Sequence, residues 1–288
     1  MHTFYDTHAH LDYPDFEAEL PQIIERAQAA GVTRVISIGT DLESSRRAVA
    51  LADRFENVFA VAGWHPTHVT AAPEDFRAEL RELARHPKVV AIGETGMDYH
   101  RLPSRKREQV EESGAPETAR SADMAQGSEE DEVYKSKQVR IFEQQLEVAA
   151  DLGLNCVIHQ RDAMEDTLQI MERFAGAVCG VFHCFSNGPD SLRRILEMGS
   201  MVSYTGIVSF KNAQNVREVL AGTPFDSFML ETDCPYLAPV PYRGKRCEPA
   251  YVKEIADVVA EVKKCSLEKL SAETCATAAK FFPKLTGG

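Results

Sequence analysis

The segment Asp6-Thr7-His8-Ala9-His10-Leu11-Asp12 sets Asp6, His8 and His10 at alternate positions. Residues two apart on a strand share a face, so on a strand the two imidazoles would act side by side. Further along stand Glu94, His159, His183 and Asp233, each at the end of a short apolar run. Imidazole mixed with carboxylate suits zinc, manganese, iron or nickel, whereas calcium prefers all-oxygen surroundings. Four imidazoles and two carboxylates are too many for one tetrahedral ion. They suit two divalent ions bridged by one carboxylate, an arrangement that activates water and clamps the attacking and leaving oxygens, which is hydrolytic chemistry.

To act together these residues must be carried to one place. Short β-branched runs recur at 3–10, 34–40, 58–65, 89–96, 155–160, 180–186, 201–208 and 227–233. Their length and bounding turn residues read as buried strands. Between most of them lie amphipathic stretches of helical length, such as 20–31 and 44–55. That alternation argues parallel βαβ units, and eight strands argue one (β/α)8 TIM barrel spanning 1–288 as a single domain. Two further helical patterns, 248–264 and 266–282, close the chain. Strand ends of a barrel meet at one rim, so His8, His10, Glu94, His159, His183 and Asp233 converge there. Asp6 should lie ~7 Å deeper on the same face, as a buried acid orienting a histidine or a neighbouring strand, while Asp12 serves the loop. Cys184 and Cys234, each beside such a residue, should face the outer packing layer by strand alternation.

One interval is out of scale. Residues 103–134, after strand four, are polar, acidic and nearly free of large apolar side chains, which suggests a mobile insertion loop on the rim where barrel sites form. The chain carries a net charge of −12, yet 108–133 hold nine acids against Arg120 alone, and the remainder balances 35 acids with 31 bases. The global charge therefore does not exclude a nucleic-acid substrate. No run approaches the ~18 apolar residues of a membrane span, and the N-terminus lacks a secretory pattern. Seven cysteines without a CxxC indicate neither a disulfide framework nor a zinc ribbon, so a reducing cytoplasm is the expected location.

Seven motifs run in order along the chain. They are D-x-H-x-H-L-D from Asp6, G-x-H-P at Gly63-Trp64-His65-Pro66, G-E-x-G-[LM]-D-Y from Gly93 to Tyr99, and H-x-R-[DE]-A from His159 to Ala163. H-C-F-S follows at His183, then E-T-D-x-P-[YF]-L-x-P from Glu231 to Pro239, and a basic R-G-x-x-x-E-P from Arg243. Together they resemble the TatD family of metal-dependent nucleases, within the amidohydrolase superfamily, over nearly the whole length apart from 103–134. The resemblance implies two divalent ions (zinc, manganese, magnesium, iron or nickel). His8, His10 and Asp233 would hold one, His159 and His183 the other, and Glu94 would bridge them. Glu94 and Asp233 would be the catalytic carboxylates, with Asp233 taking the proton of the attacking water. His65 would touch a substrate phosphate, and Arg161 and Arg246 would clamp phosphates bidentately, with Arg243 and Lys245 as weaker contributors. Tyr99 and Phe185 could stack on a base.

The implied activity is hydrolysis of DNA, trimming single strands from the 3′ end. D-aminoacyl-tRNA is the alternative substrate, and the wider superfamily adds amide, lactone and phosphotriester bonds. A non-catalytic metal-binding scaffold is the remaining reading. Neither a membrane nor an obligate protein partner is implied. Gln160 departs from the Ser or Cys common after this histidine, which bears on substrate preference rather than on metal chemistry.

Overall fold

The computed structural model of the chain describes residues 2–105 and 120–285. The eight apolar runs form eight parallel strands paired in sequence order. They are β1 (Phe4–Ala9), β2 (Val32–Ile38), β3 (Val58–Ala62), β4 (Val89–Asp98), β5 (Cys156–Arg161), β6 (Gly180–Phe182), β7 (Met201–Tyr204) and β8 (Phe228–Leu230). The end of the first strand meets the segment after the last: the His10 amide donates to the Cys234 carbonyl at 2.8 Å and the Asp233 amide to that of His8 at 2.9 Å. This is the expected (β/α)8 barrel.

The helices are α1 (Pro14–Glu17), α2 (Leu20–Ala29), α3 (Leu42–Arg54), α4 (Arg77–Ala84), α5 (Arg120–Leu152), α6 (Met164–Arg173), α7 (Pro189–Glu197), α8 (Gln214–Gly222), α9 (Val252–Lys263) and α10 (Leu267–Phe281). Their ends follow local chemistry. Past the end of α2, Gly31 takes a φ of 91°, which glycine adopts without steric cost. Helix α3 starts on a reciprocal capping box between Asp41 and Ser44, which satisfies two otherwise orphaned amides. Inside the barrel, Ile36, Ile38, Val61, Val90, Val157, Val181, Met201 and Met229 form one buried layer, against which Phe281, Phe282 and Leu285 pack. A filled interior leaves the rim at the strands' C-terminal ends as the place for a site. Among the described residues no helix is long and apolar enough to cross a membrane.

Residues 120–134, expected as part of a loop, belong instead to the single long helix α5. Tyr134 supplies the anchor that composition alone does not reveal. Its ring is buried, and its hydroxyl lies 3.1 Å from the Thr67 carbonyl and 3.4 Å from that of Pro66, in the turn after β3. Asp131 accepts from the amide and hydroxyl of Ser104 at 3.0 and 2.5 Å. Arg, Ala, Met, Gln and Glu residues in this stretch favour helix once one end is held. The rest of the expected loop, 106–119, lies outside the described residues.

Candidate metal centre

Glu94 lies within β4 and His159 within β5. His183 follows β6 directly, and Asp233 stands three residues past β8 with a left-handed φ of 58°. The sequence placed both of these at strand ends; the strands stop earlier, and the turns after them aim the side chains.

The donor atoms fall into two sets. In the first, His8 Nε2 lies 3.3 Å from His10 Nε2. Glu94 Oε2 is 3.5 and 3.8 Å from these two nitrogens, and Asp233 Oδ1 is 3.6 and 3.5 Å from them. In the second, Glu94 Oε1 lies 2.9 Å from both His159 Nδ1 and His183 Nε2, which are 3.2 Å apart. A tetrahedral ion with bonds of ~2.0–2.1 Å separates its ligand atoms by ~3.3–3.4 Å. The two sets scatter about that spacing, from 2.9 to 3.8 Å, and Glu94 turns one oxygen toward each.

The electrostatics fit cation binding. Burial alone would raise the Glu94 carboxyl, but His183, His65, His8 and His159 around it hold it well below the usual carboxylate range. Burial likewise opposes charge on His10, His159 and His183, yet neighbouring carboxylates raise all three, His183 well above its ordinary value. The carboxylates demand positive charge here, and protons compete with metal ions for the same imidazole lone pairs.

The supporting shell is partly one the sequence reading missed. Asp98 Oδ2 sits 3.2 Å from His159 Nε2, so Nε2 carries the proton and Nδ1 faces Glu94. Glu231 Oε1 accepts from the Cys184 amide at 2.7 Å and lies 3.6 Å from His183 Nδ1. Gln145, on α5, accepts from the Trp64 amide at 2.7 Å and donates to the Thr95 hydroxyl at 2.6 Å. Gln138 holds the backbone of Asp98 through both amide and carbonyl. The long helix thereby fixes the strand ends that carry His65, Glu94 and Asp98.

Asp6 is fully buried, and its oxygens accept from the amide of Thr232 at 2.9 Å and its hydroxyl at 2.6 Å. It ties β1 to the segment after β8, as one of the two roles expected for it. Burial pushes its carboxyl up to about 8 against these donors. Asp6→Ala should cost about 3 kcal/mol, because two buried donors lose their acceptor; Asp6→Asn, which keeps one acceptor oxygen, should lose less. Urea midpoints of the three proteins measure this. Asp12 pairs with Arg47 at 2.9 Å.

His65 Nε2 also reaches the second set, 3.3 Å from Glu94 Oε1 and from His159 Nδ1. Its other nitrogen decides what it can do. The Thr67 backbone amide donates to His65 Nδ1 at 3.1 Å, and the Thr67 hydroxyl lies 2.7 Å from it. A backbone N–H only donates, so Nδ1 is a lone pair. Burial pushes His65 down to about 4, so at neutral pH its single ring proton is on Nε2, facing the donors.

A cavity of about 520 Å³ opens over the cluster. Arg161 lines it and is exposed, with no side-chain hydrogen bond or ion pair among the described residues; Arg101, which the sequence reading did not single out, is placed in the same way. Arg246 is not brought to this cavity. It donates to the Asp15 carbonyl and to Glu19, with its guanidinium over the Phe16 ring. Arg243 stacks 3.6 Å over Phe210. Tyr99 is engaged by Asp166 and Lys135, and Phe185 is buried; Tyr13 and Tyr236 line the cavity instead. Cys184 also lines it, contrary to the expectation that it faces outward. Strand alternation ends at Phe182, and Cys184 takes a φ of 50°. Cys234 is buried as expected.

A family model described as TatD related DNase matches residues 5–283. The chain belongs to the TatD family. Among its relatives, an uncharacterized metal-dependent hydrolase, YabD of Bacillus subtilis, is 36% identical over 96% of this chain and 98% of its own. The protein named 3′-5′ ssDNA/RNA exonuclease TatD of Cronobacter turicensis is 32% identical over 97% and 98%. The crystal structure of the TatD homologue YJJV from Escherichia coli shares the fold with a TM-score of 0.82, at 24% identity over 97% and 98%. This TatD member is thus a metal-dependent hydrolase.

Proposed function

We propose that the chain is a nuclease using two divalent ions, which cleaves phosphodiester bonds from the 3′ end of single-stranded DNA. The observation that carries this is Glu94, whose two oxygens face two separate donor sets at the floor of one cavity. On this reading His8, His10 and Asp233 hold one ion, His159 and His183 the other, and Glu94 bridges. When bound, the pair would supply an activated water and neutralise charge on the phosphoryl oxygens.

The chain's own residues do the rest. Asp98 keeps His159 in the tautomer that offers Nδ1. Asp233, the most open of the carboxylates around the donor sets, takes the proton of the attacking water on the oxygen other than Oδ1, which faces His8 and His10. Arg161 and Arg101 meet phosphate oxygens with planar, paired donors. Ester hydrolysis of D-aminoacyl-tRNA would use the same carboxylates and imidazoles, since an activated water attacks carbonyl and phosphoryl centres alike.

The test is a panel of end-labelled single- and double-stranded DNA and D-aminoacyl-tRNA, each with manganese, magnesium or zinc. Stepwise shortening of the single strand from its 3′ end is the expected outcome. Inactivity on every DNA across all metals rejects the proposal, and deacylation alone favours the second substrate.

A further inference from the structure

The tyrosines at the rim are not used by the chemistry above. Tyr236 lines the cavity yet is 53% exposed, although it is a large aromatic. A tight turn presents it from the metal-facing segment, its amide donating to the Asp233 carbonyl at 3.0 Å. Tyr13, just past β1, lies over the His10 ring at 4.9 Å and 25°, and meets Tyr236 edge-on at 6.1 Å and 83°. An aromatic wall therefore stands where β1 and β8 adjoin.

The opposite wall differs in kind. Arg101 follows β4 and Arg161 ends β5, and in the eight-strand order that pair lies across the barrel from β1 and β8. Between the walls lie the two donor sets, with His10 and Asp233 on the tyrosine side and His159 on the arginine side. A nucleotide matches this division. Its base offers a π-face that stacks on tyrosine with little regard to sequence, and its phosphates match a guanidinium. A free amino acid or a small lactone would leave one wall unused.

Resting on the nuclease reading, we propose that Tyr236, braced by Tyr13, is the subsite for the base of the terminal nucleotide. Arg101 and Arg161 then hold backbone phosphates of the strand that remains. The chain end enters tyrosine side first, and the scissile phosphate lies over Glu94.

The experiment compares two oligonucleotides that differ only in whether the last nucleotide carries a base. Equilibrium dialysis of a deoxynucleoside monophosphate against deoxyribose phosphate is run beside it on the metal-loaded protein. Wild type should prefer the base in both assays by about tenfold, a usual size for one stacked base. Tyr236→Ala should lose that preference, with the loss in KM rather than kcat, and Tyr236→Phe should keep it. Equal losses on both ends, or no change, overturn the subsite. If wild type cleaves no DNA yet binds the nucleotide better than the sugar phosphate through Tyr236, the subsite stands and the nuclease reading falls. If it cleaves DNA and Tyr236→Ala behaves as wild type, the subsite falls alone.

Discussion

Glu94→Gln should reduce kcat/KM by at least about 10³-fold, equivalent to about 4 kcal/mol of transition-state stabilisation, while leaving the barrel folded. Glutamine keeps the length and volume of glutamate, so the buried layer beneath is undisturbed. What changes is charge and donor direction. One glutamine atom becomes an NH₂ group, and where Glu94 now offers acceptor oxygens within 2.9 Å of His159 and His183 or 3.5 Å of His8, a donor would face nitrogens that must themselves give lone pairs to a metal. The carboxylate that raises His183 and His159 is also lost, and with it the shared negative charge that, on the two-ion reading, would let two cations sit close together. Metal content after desalting should fall from about two ions per chain to one or fewer. Circular dichroism and the thermal midpoint serve as folding controls. Retention of both ions with wild-type activity would show that Glu94 does not bridge.

The fold was legible because buried parallel strands read as unbroken β-branched runs, and each of the eight runs became a strand. The donor cluster was legible for a related reason. Histidines and carboxylates at the ends of such runs have few places to point except the rim. Asp98 could have been found by the same rule, since Glu94, Gly96 and Asp98 alternate along β4. Long side chains on loops were not legible. Arg246 carries the charge of a phosphate clamp, but the carboxylate of the residue just before α2 and an aromatic ring hold it elsewhere, and nothing local in the sequence announces Glu19 as its partner. Tyr99 and Tyr236 are equally plausible stacking residues by type; only tertiary packing separates the one bonded to Asp166 from the one open to the cavity. Helix α5 was missed over 120–134 because its anchor, Tyr134, finds its partners more than sixty residues away in the sequence.

The hydrogen-bond direction at His65 leads to the second large effect. Proximity alone would count His65 among the metal ligands, since its Nε2 stands with Glu94 and His159. The Thr67 amide excludes that role while it donates to Nδ1, because the neutral ring then has its proton on Nε2 and no lone pair to offer there. On the nuclease reading His65 is instead a neutral donor, its Nε2 facing Glu94 and His159 from a buried position. Such a donor is poised to stabilise charge developing on a phosphoryl oxygen, and removing one donor of this kind typically costs 10²- to 10³-fold in kcat. His65→Ala should show about that loss with metal content unchanged. His65→Gln should recover part of it, because the glutamine amide nitrogen reaches about as far as Nε2 and remains a donor. A metal ligand would behave otherwise: both variants would lose an ion, and excess metal would restore activity. Metal analysis and single-turnover rates on the three proteins separate the roles. The nitrogen resonances of His65 in the zinc-loaded enzyme offer a direct check, with the proton expected on Nε2 and a bare Nδ1.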